Sequence, residues 1–141
     1  ISVSAARGLS LGLGVPSIGV SRLEALAHGT AGTVVTCIDA RQDKLFIQAF
    51  GTSDDPVPTM CGWDDLPGLY HHTDLSCVGF QAERLAHHYN GKVGLCTIPI
   101  AEATARIAAT RLDRALPRPA PLYLRPADAA PARDTPPSIL P

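Results

Sequence analysis

Two neighbouring stretches constrain this chain more than anything else in it. Thr33–Ile38 is a compact run rich in β-branched residues. Lys44–Phe50 alternates, with Leu45, Ile47 and Ala49 on one face and Phe46, Gln48 and Phe50 on the other. Asp39-Ala40-Arg41-Gln42-Asp43 between them is polar turn material, so the three together predict a β-hairpin whose first strand is buried. Aromatics make up only 5% of the residues, so the core around that hairpin has to be built from Ala, Leu, Val and Ile. With 141 residues, one domain with a sizeable core is expected.

The flanking chain supplies covering elements. Ile1–Leu13 is rich in Ala and Leu, lacks Pro and reads as a helix ended by Gly14 and Pro16. Pro16–Val20 is expected as a short strand. Ser21-Arg22-Leu23-Glu24 has the form of a capping box opening a short helix that stops at Gly29. Thr52–Asp74 is expected to be mostly irregular, with one helical turn near Trp63–Leu66. Leu75–Val78 is a further strand. Ala82, Leu85, Ala86 and Tyr89 form a helical stripe closed by Asn90-Gly91. Val93–Thr97 is an extended segment. Pro99 opens the expected longest helix, with Ala101, Ala105, Ala108, Leu112 and Ala115 as its buried stripe and Pro117 as its stop. Eight of the thirteen prolines lie between Pro117 and Pro141. Only Leu122-Tyr123-Leu124 in that stretch is expected to dock, and residues 127–141 read as a Pro-rich tail. The order is a mixed α/β pattern around one small sheet.

Composition excludes several functions. Lys+Arg number 12 against Asp+Glu 13, a formal net charge of −1, which argues against non-specific nucleic-acid binding through a broad basic face. No apolar run approaches the roughly 18–20 residues of a membrane span, and no signal peptide is evident. Cys37, Cys61, Cys77 and Cys96 contain no Cys-x-x-Cys pair and are expected as reduced, buried thiols of a cytoplasmic protein. There is no phosphate-binding or dinucleotide glycine loop. His71-His72 and His87-His88 are adjacent pairs, and neighbours on a helix point about 100° apart, so neither pair has metalloprotease spacing. Ser10, Ser21 and Thr104 lie in no nucleophile elbow. No catalytic residue and no metal site is assigned.

Two features remain as candidates. Ser4, Ala5, Gly8, Leu9 and Gly12 put small side chains along one face of the first helix. Each interior glycine costs roughly 1 kcal/mol against Ala, so close approach of another backbone would justify them, either from this protein's own sheet or from another chain. Asp39 stands at a strand end, where a carboxylate can face a cleft and contact phosphate or metal; the plainer expectation is a cap for the Arg41 or Gln42 amide.

Three stretches in order resemble one family: Ser4-Ala5-Ala6-Arg7-Gly8-Leu9-Ser10-Leu11-Gly12-Leu13-Gly14-Val15-Pro16 running into Gly19–Ala27, the strand–Asp39-Ala40-Arg41–strand hairpin from Cys37 to Phe46, and Pro121-Leu122-Tyr123-Leu124-Arg125. They resemble the TsaB family of bacterial tRNA threonylcarbamoyladenosine biosynthesis scaffold proteins, earlier labelled glycoprotease-like. The resemblance implies an actin-like, ribonuclease-H-related ATPase-domain fold in two lobes, here lacking the N-terminal strands. It divides the chain into residues 1–30, a remnant of the N-terminal lobe, residues 31–126, the C-terminal lobe, and the tail. Because residue 1 is Ile and the first segment reads as mid-helix, the chain is expected to be the C-terminal part of a family member. The family implies a non-catalytic scaffold in the cytoplasm. Its partners are a catalytic homologue, TsaD, and an ATPase, TsaE, with tRNA engaged through the complex. It also implies homodimers, no cofactor of its own, and ATP or ADP at a partner interface. The helix matching Ile1–Leu13 contributes to contact with TsaD or a second copy. The rival readings are a metallopeptidase, an ATP-dependent transferase, or an interaction module with no link to tRNA.

The tail has little apolar surface beyond Ile139-Leu140, too little to offset its ordering entropy. Deleting Ala129–Pro141 is therefore expected to leave the melting temperature nearly unchanged; a fall of many degrees would show that the tail docks.

Overall fold

The computed structural model describes residues 1–52, 57–68 and 74–125. The tail from residue 127 and the His71-His72 pair lie outside the described residues.

The hairpin is the centre of the molecule. Strand β1 (Thr33–Arg41) pairs antiparallel with β2 (Lys44–Phe50), in the register Val35↔Ala49, Cys37↔Ile47 and Asp39↔Leu45. On its other edge β1 pairs in parallel with β4 (Leu75–Gly79), with Val35 opposite Cys77. Strand β3 (Thr59–Gly62) adds antiparallel to β2, and β5 (Lys92–Val93) adds parallel to β4. The described strands form one mixed sheet in the order β3-β2-β1-β4-β5.

Helices cover both faces. On one, Val35, Cys37, Leu45, Ile47, Cys77 and Leu75 pack with Leu85 and Ala86 of α3 (Ala82–Tyr89) and with Trp63. On the other, Val34 and Val78 meet Leu26 and Ala27 of α2 (Arg22–Ala27). Helix α4 (Ile100–Ala109) lies on α2 through Ala103 and Ile107 against Ala25, with Val20 and Ile98 alongside. The period of two in β1 and β2 thus feeds two cores, as expected for a strand buried on both faces. Helix α1 (Ser2–Leu13) precedes this body and contributes no buried residue.

Several local expectations are corrected. Pro16–Val20 forms no strand; no described sheet edge reaches it, and Val20 packs beside α2 and α4 instead. Thr59–Gly62, placed in an irregular stretch, is a strand because the edge of β2 is open to it and Cys61 gains a core position opposite Leu45. The capping box is half formed. The Leu23 N–H donates to Ser21 Oγ at 3.2 Å, but Glu24 reaches across to Arg111 instead of back to its own helix. Helix α4 spans ten residues against twelve for α1, so it is not the longest. Its buried stripe is Ala103 and Ile107 with half-buried Ile100, whereas Ala101, Ala105, Leu112 and Ala115 are exposed. The branched aliphatics choose the face because alanines fit either side. The Thr110 hydroxyl and N–H both bond the Ile107 carbonyl and end the helix there. Cys96 is exposed, its Sγ donating to the Ile98 carbonyl at 3.2 Å.

The β1–β4 seam has one position that only glycine can occupy. Gly79 has φ +114°, and a Cβ there would stand 2.1 Å from the Cys37 carbonyl oxygen. That same oxygen accepts the Phe80 N–H at 3.0 Å, so the backbone cannot back away without losing the bond. Gly79→Ala is expected to lower the unfolding free energy by about 3 kcal/mol in guanidinium denaturation. Gly68→Ala, where a Cβ meets nothing within 4 Å, should change it by less than about 0.5 kcal/mol.

Candidate interaction surface

Helix α1 forms for local reasons. Its alanines and leucines are strong helix formers, and Gly14 closes it in the left-handed region at φ 64°. The N–H groups of Gly14 and Val15 both reach the Ser10 carbonyl, and Ser10 Oγ donates to the Val15 carbonyl at 2.5 Å. Its start is poor: Ile1 supplies no side-chain cap, and the first turn has no acid. A helix of this length is marginal alone in water. Yet Leu9, Leu11 and Leu13 are 65%, 81% and 71% exposed.

The small-residue face is open. Ser4, Ala5, Gly8, Leu9 and Gly12 are all exposed, and a Cβ at Gly8 or Gly12 would meet nothing within 4 Å. Close packing against the protein's own sheet therefore does not explain the glycines.

Asp39 does the plainer of its two expected tasks. Its Oδ1 accepts the Arg41 N–H at 2.8 Å and so shapes a turn in which Arg41, Gln42 and Asp43 all have positive φ. Among the described residues no three His, Cys, Asp or Glu side chains gather as a metal site. The hydroxyls are engaged locally: Ser21 caps α2, and Thr104 donates to the Ile100 carbonyl at 2.8 Å. His87 and His88 lie exposed in the last turn of α3. No described helix is long and apolar enough to cross a membrane.

Two arginine contacts were not foreseen. Arg111 makes a two-pronged pair with Glu24, tying the chain after α4 to α2. Arg125 donates from Nη1 to the Ala40 carbonyl at 3.0 Å and from Nη2 to Gln42 Oε1 at 2.6 Å, anchoring the end of the described chain on the β1–β2 turn. The expected anchor, Leu122-Tyr123-Leu124, is largely outside: Tyr123 is 83% exposed. Arg125 closes the third of the family-like stretches, which was the one signal that could have pointed to it.

The remaining reactive groups are the thiols. Burial pushes Cys37 up to about 12, with nearby Cys77 and Cys61 adding to the effect, and pushes Cys77 up to about 11. Cys61 is raised by burial and by Asp65. Such thiols are protonated at neutral pH and poor nucleophiles.

No family model matches the sequence, and no curated protein matches it significantly. A solved structure does match: an uncharacterized protein with similarity to peptidase YeaZ, from Pseudomonas aeruginosa. It superposes with a TM-score of 0.60 at 19% identity, over 88% of this chain and 66% of that one. The chain thus spans a little under two thirds of that protein's length. The likeness is one of fold: the mixed sheet and its helices form a YeaZ-like, that is TsaB-like, arrangement.

Thiol-reactive dye at neutral pH is expected to label Cys96 in the native protein and to spare Cys37, Cys61 and Cys77 until denaturant is added. Because the folded-state values of Cys37 and Cys77 lie above the ordinary 9.0, folding is favoured by the protonated thiols. Their contribution is complete below about pH 9 and is lost as pH rises towards 11–12. Melting temperature should fall over that alkaline window, and Cys37→Ala/Cys77→Ala should fall less steeply there.

Proposed function

We propose that this chain is a non-catalytic scaffold of the TsaB type. In this reading it serves the modification that places threonylcarbamoyladenosine in tRNA by pairing with the homologous catalytic subunit TsaD and the ATPase TsaE in the cytoplasm. The observation that carries the reading is α1: a helix with no buried residue, whose Ser4–Gly8–Gly12 face is open. Glycines that cost helix stability, and beside which no described residue would meet an added Cβ, make sense where a second helix comes close. The likeness of fold to a YeaZ-similar protein supports the same reading. So does the sheet, mixed and covered by helices on both faces, which suits the actin-like, ribonuclease-H-related assignment. On this reading residues 1–30 belong to an N-terminal lobe and 31–126 to a C-terminal one. Nucleotide is held only at a partner interface, tRNA is met through the complex, and a homodimer can use the same helix face.

The peptidase label of the structural neighbour raises the rival reading. That chemistry needs spaced ligands and a general base, and the described residues gather no such group.

Gly8→Leu adds bulk at the centre of the open face while raising helix propensity. It is expected to weaken pairing with TsaD at least about tenfold, close to 1.4 kcal/mol, in a titration or in sedimentation, with circular dichroism unchanged. Undiminished pairing by a folded variant would remove the interface assignment.

A further inference from the structure

A different flank of α1 faces the body across an open groove of about 1240 Å³. Its roof is Val3, Ala6, Leu9 and Leu13, which fall on one side of the helix. Its floor is Ile38 and Phe46, a cross-strand pair of β1 and β2. Leu116, Leu122 and Leu124 form a wall. Apart from Leu9, none of the Ser4–Gly12 face lines it.

The charges around this groove have one sign. Arg22, Arg111, Arg114 and Arg118 line it, and no described carboxylate does. Glu24 neutralises Arg111. Arg22, Arg114 and Arg118 have no carboxylate partner among the described residues. The result is an apolar trough with a net positive rim. Its volume exceeds the roughly 300–1,000 Å³ of small-molecule pockets. Its roof, a helix of twelve residues, is about 18 Å long at 1.5 Å per residue, which matches a partner helix of about three turns.

We propose that this groove binds an amphipathic helix of a partner polypeptide that presents leucine-type side chains inward and carboxylates along its flanks. The apolar floor buries the inner face, and the arginine rim meets the flanks. A second copy of this chain fits poorly. Its own exposed apolar helix, α1, carries Arg7 and no carboxylate, so two copies would bring arginines together. The site shares only Leu9 with the Gly8 face and does not depend on the scaffold reading.

The test is fluorescence anisotropy with the full chain and two labelled synthetic helical peptides of about fourteen residues. Both carry leucines at i, i+3, i+4 and i+7 spacing. One has glutamates on the flanks and the other has lysines. The glutamate peptide is expected to bind at least about tenfold more tightly. Arg114→Glu/Arg118→Glu, both at exposed positions, should reverse the preference, and Leu13→Asp should weaken both peptides. Circular dichroism confirms that each variant is folded. No binding of the glutamate peptide, or equal binding of the two, would overturn the proposal. So would sedimentation showing a dimer that Leu13→Asp dissolves, which would seat a second copy there. Flotation with phosphatidylglycerol vesicles in place of peptide binding would assign the groove to lipid and overturn it equally.

Discussion

Everything in this protein is arranged around a strand buried on both faces. Val34, Val35, Thr36 and Cys37 of β1 are all sealed from solvent, so successive residues must satisfy opposite cores. Thr36 is the one polar member, and its hydroxyl donates to the Gln48 carbonyl across the hairpin at 3.4 Å. A strand in that position requires a paired strand on each edge and a helical layer on each side, because its backbone groups have no water and its side chains no surface. The antiparallel β2, the parallel β4, α3 on one face and α2 with α4 on the other are the answer to that demand.

The core is made from small parts, and its precision lies in the backbone. With few aromatics to fill space, strands and helices approach closely, and Gly79 shows how closely: its missing Cβ is the room that the Cys37 carbonyl occupies. The buried thiols belong to the same economy, acting as small apolar groups. Among the described residues the one large aromatic buried in the core is Trp63, with the Arg84 guanidinium 3.9 Å from its ring.

Helix α1 stands against this economy. The strands β1, β2 and β4 and the helices α2, α3 and α4 tuck their branched aliphatics into or against the cores, while α1 leaves its leucines in solvent and gains no core position. Its two available flanks differ in chemistry. One is a row of small residues suited to a close-packed helix; the other roofs an apolar groove edged with arginine. Function, on the reading given above, lies in surfaces that the fold leaves unpaired and not in a catalytic cleft.

Patterns with short range were legible in the sequence. The alternation of Lys44–Phe50, the β-branched run from Thr33, the stripe Ala82–Leu85–Ala86–Tyr89 and the Gly14 stop all depend on a few neighbouring residues, and each element appears where the pattern puts it, except that β1 runs past Ile38 to Arg41 because Asp39 and Arg41 pair with Leu45 and Lys44 of β2. The Asp39 turn likewise follows from a side chain bonding an amide two residues on. What the sequence left undecided depends on partners distant along the chain. Thr59–Gly62 is a strand only because β2 offers an edge. Pro16–Val20 is not one because none is offered there. The face of α4 is chosen by α2, and Glu24 abandons its cap for Arg111, 87 residues away. The glycines of α1 could be read in the sequence as needing a close neighbour. Only the tertiary structure decided that the neighbour is not the protein's own sheet, because burial is a property of how elements meet and local pattern states only which face is available.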